Sequence, residues 1–175
     1  MTIENVILQN LMFNDEYSRR IVPYIKEEYF HDNVEREVFK EIKNFIIQYG
    51  NLPTINAIKI SLDKNKKFSE KEYEQSVKIL DSLKEEIQNS EWLISETETF
   101  CKDKAVYNAI MESIHIIDGK SNTHTENAIP NILSDALAVS FDSHIGHDYV
   151  EDSDLRYEFY HQVETRVPFD LDYMN

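Results

Sequence analysis

The stretch from Ser90 to Asp118, SEWLISETETFCKDKAVYNAIMESIHIID, runs without proline or glycine, and apolar side chains recur along it at Leu93, Phe100, Tyr107, Met111, Ile114 and Ile117. Steps of three, four and seven residues return to one face of an α-helix, so the stretch predicts one long helix capped by Ser90. At 1.5 Å per residue it would reach roughly 40 Å, longer than a small helical head requires, and it is expected to project. Gly119–Thr125 reads as a turn. A returning helix is expected from about Asn127 to Phe141, with Ile129, Ile132, Leu133, Ala136 and Leu137 on one side and Pro130 tolerated only in its first turn. The two helices make a hairpin. A hairpin that leaves the head cannot bury both its faces by itself, so a partner chain is expected against it.

Upstream, the chain reads as a head of short helices. Thr2 can cap a first helix bearing Ile3, Val6, Ile7, Leu8, Leu11 and Met12. Asn14 or Asp15 opens a second that Pro23 limits. After Asp32, the residues Val34, Val38, Phe39, Ile42, Phe45, Ile46 and Tyr49 follow one buried stripe, and Gly50 suits the position just past the helix end. Thr54 caps a helix to about Leu62. Ser69 and Glu72 form a capping box, each able to satisfy a free backbone N–H of the other, ahead of Tyr73, Val77, Leu80, Leu83 and Ile87. Downstream of the hairpin, 142–150 reads as a linker and 151–166 as an amphipathic helix with Leu155, Phe159 and Val163 on one side. The expected class is all-α, which the three Gly and four Pro of the chain also favour.

The chain has 175 residues, enough for one core without staples, and its 18 Lys and Arg against 33 Asp and Glu give a net charge of -15. Such a field repels phosphate backbones and disfavours both nonspecific DNA gripping and a helix-turn-helix reader. The clustered Lys59, Lys64, Lys66 and Lys67 read as a solvated loop. With one cysteine, Cys101, there is no intramolecular disulfide, which fits a reducing cytoplasm. No apolar run is long enough for a bilayer, and the N-terminus lacks the basic start of a signal peptide.

Few residues suggest chemistry. Gly119-Lys-Ser121 is the tail of a phosphate-binding loop, but the glycine required five residues earlier is Ile114, inside a helix. Asp142, His144, His147 and Asp148 could ligate a metal, although their spacing matches no closed site, and a metal-dependent enzyme built on them ranks last among the readings. Cys101 is expected to be a small buried residue, His115 and His161 ordinary helix residues, and Trp92 a core anchor ahead of an interface anchor. No nucleophile and base pair stands out. These residues describe a binding or assembly module, with no catalytic, cofactor or metal site.

The order of parts carries a resemblance. The ascending SEWLISETETFCKDKAVYNAIMESIHIID, the descending ENAIPNILSDALAVSFDSHIGHD, a linker helix and a closing RVPFDLDYMN resemble the N-terminal region of DnaB-family replicative helicases, most nearly those of T-even-type tailed phages. The opening IENVILQNLMFNDEYSRRIVPYIKEEYF is also similar. The resemblance implies a head over 1–89, a hairpin over 90–141 that forms one N-terminal domain with it, a linker and linker helix over 142–166, and the start of a truncated RecA-like motor domain over 167–175. It implies a collar of a hexameric ring in the bacterial host cytoplasm. Hairpins would pair into dimers or a trimer of dimers through Phe100, Tyr107, Met111, Ile114, Ile129, Leu133 and Leu137. Leu155, Phe159 and Val163 would dock on a neighbouring motor domain. Primase and a helicase loader would be the partners, DNA would pass through without being gripped, and ATP and Mg would belong to the parent's motor, which unwinds 5′ to 3′. The competing reading is a freestanding helical adaptor or loader-like protein with no motor.

Overall fold

The computed structural model describes residues 2–65, 68–85, 89–121 and 123–141. Lys66, Lys67 and Ile87 lie outside the described residues. So does everything from Asp142 onward, including His144, His147, His161, the expected linker helix with Leu155, Phe159 and Val163, and the expected motor start. Met1–Phe141 forms one compact unit.

Seven α-helices and no strand occur among the described residues: α1 Ile3–Phe13, α2 Asp15–Ile21, α3 Asn33–Tyr49, α4 Ile55–Lys64, α5 Glu70–Ser82, α6 Ser90–Ile117 and α7 Ile129–Leu137. Single 3-10 turns at Glu27–Tyr29 and Glu126–Ala128 precede α3 and α7. Most helix starts are written in capping side chains. Thr2, Asn14, Asp32, Thr54 and Ser69 each accept a backbone N–H of the first turn, and Ser69 with Glu72 completes the capping box. Gly50 ends α3 at φ 67, a conformation a Cβ would strain. At α6 the cap is Asn89, one residue before the expected Ser90; its Oδ1 accepts from Trp92 N at 3.0 Å.

The core starts in the head and continues into the hairpin. Ile7, Leu8 and Leu11 of α1, Tyr17 and Ile21 of α2, and Val38, Phe39 and Ile42 of α3 are sealed from solvent beside Leu93 and Cys101 of α6. Phe30 fastens the head to α6, its ring 4.6 Å from that of Phe39 and 6.0 Å from that of Phe100. Deeper in the joint, the Thr97 hydroxyl donates to Leu93 O, so the Tyr17 hydroxyl donates to Thr97 Oγ1, at 2.7 Å. Phe141 stacks on Tyr24 with ring centroids 5.1 Å apart, which ties the end of the hairpin back to the head. The hairpin is thus anchored along much of its length.

Several expected faces are corrected. Tyr49 is 57% exposed and lies against Phe45 instead of closing the α3 stripe, because the fully buried part of the stripe ends two turns earlier at Ile42 and only the half-buried Phe45 and Ile46 continue it. Trp92 is 52% exposed, so it is no core anchor; its neighbours Leu93 and Ile94 fill the core instead. In α5 the innermost residue beside Leu80 is Ser76, whose hydroxyl donates to Tyr73 O, while Val77 is half-buried. The returning helix begins at Ile129 and ends at Leu137, shorter than Asn127–Phe141, since Pro130 holds the first turn and Ala138 caps the last.

Burial at the joint has a measurable consequence. Burial pushes the Cys101 thiol up to about 12, with Glu98 adding to the rise; it likewise pushes Tyr29 up to about 12, and Tyr17 higher still. All three are held protonated by the fold more strongly than by the unfolded chain. Their contribution to stability is full below about pH 9 and is lost as pH rises towards 12. The urea midpoint is therefore expected to fall between pH 7.5 and 10.5, and Cys101→Ala should reduce that fall. A midpoint unchanged over this interval in the parent chain would contradict the burial described here.

Candidate functional site: the outer face of the hairpin

Two faces of α6 are apolar in its second half. The first is a seam of small residues, Ala105, Ala109 and Ser113, with Ile116 at its end, all buried. Small side chains let α7 approach closely, and Ile132, Leu133 and Ala136 pack there. The second face carries the large residues: Tyr107, Ile110, Met111, Ile114 and Ile117, exposed at 51%, 47%, 38%, 45% and 66%. At 100° per residue these five lie opposite the small-residue seam. The sequence stripe ran its buried and exposed members together, because small residues carry no hydropathy signal.

The expected contact residues accordingly divide. Phe100 is buried between Phe30 and the Lys104 ammonium, 5.4 Å from its ring centroid, and has nothing left to offer a partner. Ile129 is half-buried, and Leu133 is half-buried and packs on the core. Tyr107, Met111 and Ile114 lie on the outer face. Leu137 is 73% exposed and does not share the inward side of Ile132, Leu133 and Ala136. Ile110 belongs to the outer face and was missed; its three-and-four spacing from Tyr107 and Ile114 was the signal that could have found it.

Charge sharpens the picture. Between Ala105 and Ile117 the only carboxylate is Glu112, in a chain where acids total 33. Asp103 and Asp118 bound this stretch. The outer face is held in place by the head: His31 meets the Tyr107 ring edge-on at 5.1 Å, and Asn108 Nδ2 donates to Glu28 O at 2.9 Å. Tyr107 is thereby a pre-set aromatic anchor that keeps half its surface free.

The remaining sequence candidates have structural roles. Gly119, at φ 68, closes α6: its N–H bonds Ile116 O at 3.0 Å and Lys120 N–H bonds His115 O at 2.9 Å, the paired bonds of a Schellman end. Lys120 Nζ lies 2.8 Å from Asp118 Oδ2. Gly-Lys-Ser is thus a helix terminus here. His115 is exposed, Cys101 is buried, and no group of three or more His, Cys, Asp or Glu suited to a metal occurs among the described residues. A cleft of about 860 Å³ lies between the Glu27–Tyr29 turn, α6 and α7, with Ala105, Ala109 and Ala136 in its floor and Lys26, Arg36, Glu112 and Asp135 on its walls. Its mixed charges select no ligand class. No helix of the described residues is long and apolar enough to cross a membrane.

Over 178 residues the chain is 33% identical to the DnaB-like replicative helicase of Enterobacteria phage T4, and the match takes in 97% of this chain. This chain is related to a phage replicative helicase. The match includes the head, whose sequence is generic, as well as the hairpin. It spans 37% of the T4 helicase's length, so that protein's activity does not pass to this chain as a fact. No protein-family model matches the chain.

Proposed function

We propose that this chain is the assembly collar of a phage hexameric replicative DNA helicase, corresponding to the N-terminal part of the T4 relative. Chains associate through the outer face of α6, and the collar receives primase and the helicase loader. The observation that carries this reading is the joint one: kinship to a replicative helicase, and an exposed apolar stripe free of charge on a strongly acidic chain. Two chains of charge -15 repel on most approaches, and a stripe without carboxylates is where contact costs least.

ATP hydrolysis and unwinding belong, in this reading, to a motor domain whose ATP and Mg site is not formed by the collar. DNA passes through the ring without being gripped by this domain, consistent with its net negative charge. The host cytoplasm is where such a protein works.

The stripe is short. Five partly exposed side chains offer well under the roughly 800 Å² per partner of a standard interface, so the isolated chain is expected to associate weakly and in proportion to concentration. The test is the mass of the 175-residue chain over a concentration series, alone and with the cognate primase. Dimers or larger assemblies that grow with concentration and shift with primase support the collar. A monomer at every concentration that ignores primase overturns it and favours a freestanding adaptor.

A further inference from the structure

We propose that the outward face of α3 docks a short acidic segment of a partner protein, laid extended along Arg36, Lys40 and Lys43 with an apolar residue against Ile47. The inference uses surface that the assembly reading leaves unassigned and does not depend on it. At 100° per residue these four side chains fall within about 60° of arc, spaced by four, three and four residues. Glu35, Glu37 and Glu41, the carboxylates of α3, start outside that arc. In a chain whose acids outnumber its bases 33 to 18, a row of three cations uninterrupted by acid is the local exception. A groove of about 360 Å³ separates Lys40 and Lys43 from residues 26–28, and Lys26, its side chain 60% exposed, adds a fourth cation across it.

Two of the cations are fixed without being neutralised. Arg36 Nε donates to Phe30 O at 2.9 Å and Lys43 Nζ to Ile25 O at 2.7 Å; a carbonyl orients a cation and leaves its charge in place. Each keeps further N–H groups for a carboxylate. Lys40 lies 3.5 Å from Glu37 Oε1, but its side chain is 41% exposed, and so open a pair is weak. Burial holds the Lys43 ammonium below its usual range, with Glu27 opposing the fall and Lys26 adding to it, so a carboxylate beside it would replace lost solvation. From Arg36 to Ile47 the row rises roughly 16 Å, which about five extended residues cover, and carboxylates at alternate residues fall roughly 7 Å apart, near the step of about 6 Å from Arg36 to Lys40. Nucleic acid fits less well. Glu27 and Glu28 border the groove opposite the row and repel phosphates, and Ile47, 64% exposed, offers an aliphatic contact where a base requires a flat one.

The test is fluorescence anisotropy of a labelled peptide of about ten residues, with Asp at alternate positions around a central Phe, titrated with the full 175-residue chain. Binding is expected at low salt and should weaken several-fold as salt rises past physiological strength. Lys40→Glu is expected to weaken it roughly five- to tenfold while the urea midpoint stays at the parent value, since the Lys40 side chain is partly exposed. Ile47→Ser should weaken it about threefold for this peptide and not for one with Ser in place of Phe. Lys84→Glu, an equal change of net charge at an exposed residue after α5, is the control and should leave affinity within about twofold. No binding at low salt overturns the proposal. Equal losses in Lys84→Glu and Lys40→Glu also overturn it, because net charge alone would then account for the effect. A single-stranded oligonucleotide that binds more tightly than the peptide, and loses affinity in Lys40→Glu, would assign the face to nucleic acid and overturn the acidic segment.

Discussion

Truncating Phe30 to Ala is expected to lower stability by about 3–5 kcal/mol, out of a total on the order of 5–15 kcal/mol for a domain of this kind. Phe30 is fully buried, and its ring touches Phe39 of α3 on one side and Phe100 of α6 on the other. Its loss leaves a cavity where the head meets the hairpin, and neither neighbouring ring can collapse into it without leaving its own contacts. Urea denaturation followed by circular dichroism measures the effect. Trp92→Ala is the control: at 52% exposure it should cost under about 0.5 kcal/mol. If Trp92→Ala proved as costly as Phe30→Ala, the packing of α6 on the head described here would be wrong.

The second large effect falls on assembly. Ile110→Glu with Ile114→Glu is expected to weaken self-association on the order of 100-fold or more while leaving helicity and the urea midpoint close to the parent. Both side chains are about half exposed, at 47% and 45%, so the monomer tolerates the carboxylates. In the pair, each new charge loses water against an apolar neighbour, at a cost of roughly several kcal/mol per buried ion. Sedimentation velocity over a concentration series reads the result. Undiminished dimers would remove α6 from the contact. Leu133 is the poorer target, since it packs on the core beneath α7 and its loss would loosen the hairpin as well as any contact.

The two experiments separate the duties of one helix. Phe100 and Leu93 hold α6 to the head, Ala105 and Ala109 admit α7, and Ile110 and Ile114 face outward. A change in the first group should act through unfolding, and one in the last through association alone.

By itself the sequence determined the all-helical class, most helix starts, the left-handed glycine after α3, and the hairpin turn. Those features are local: a hydroxyl or carboxylate at a cap satisfies an N–H within three residues, and glycine permits φ of 67 or 68 wherever the chain needs it. The sequence also carried the kinship, because it lies in ordered motifs along the whole chain. What the tertiary structure decided was the facing of side chains that could have gone either way. Tyr49 and Trp92 turned outward because the core was already filled by Ile42, Leu93 and Ile94. Ala105, Ala109 and Ser113, weak in any hydropathy reading, became the seam because only small side chains let α7 come close. The large residues of α6 were thereby left on the opposite face. Burial depends on which neighbour arrives, and residues distant in the chain, such as Tyr17 and Thr97, meet only when the fold brings them together.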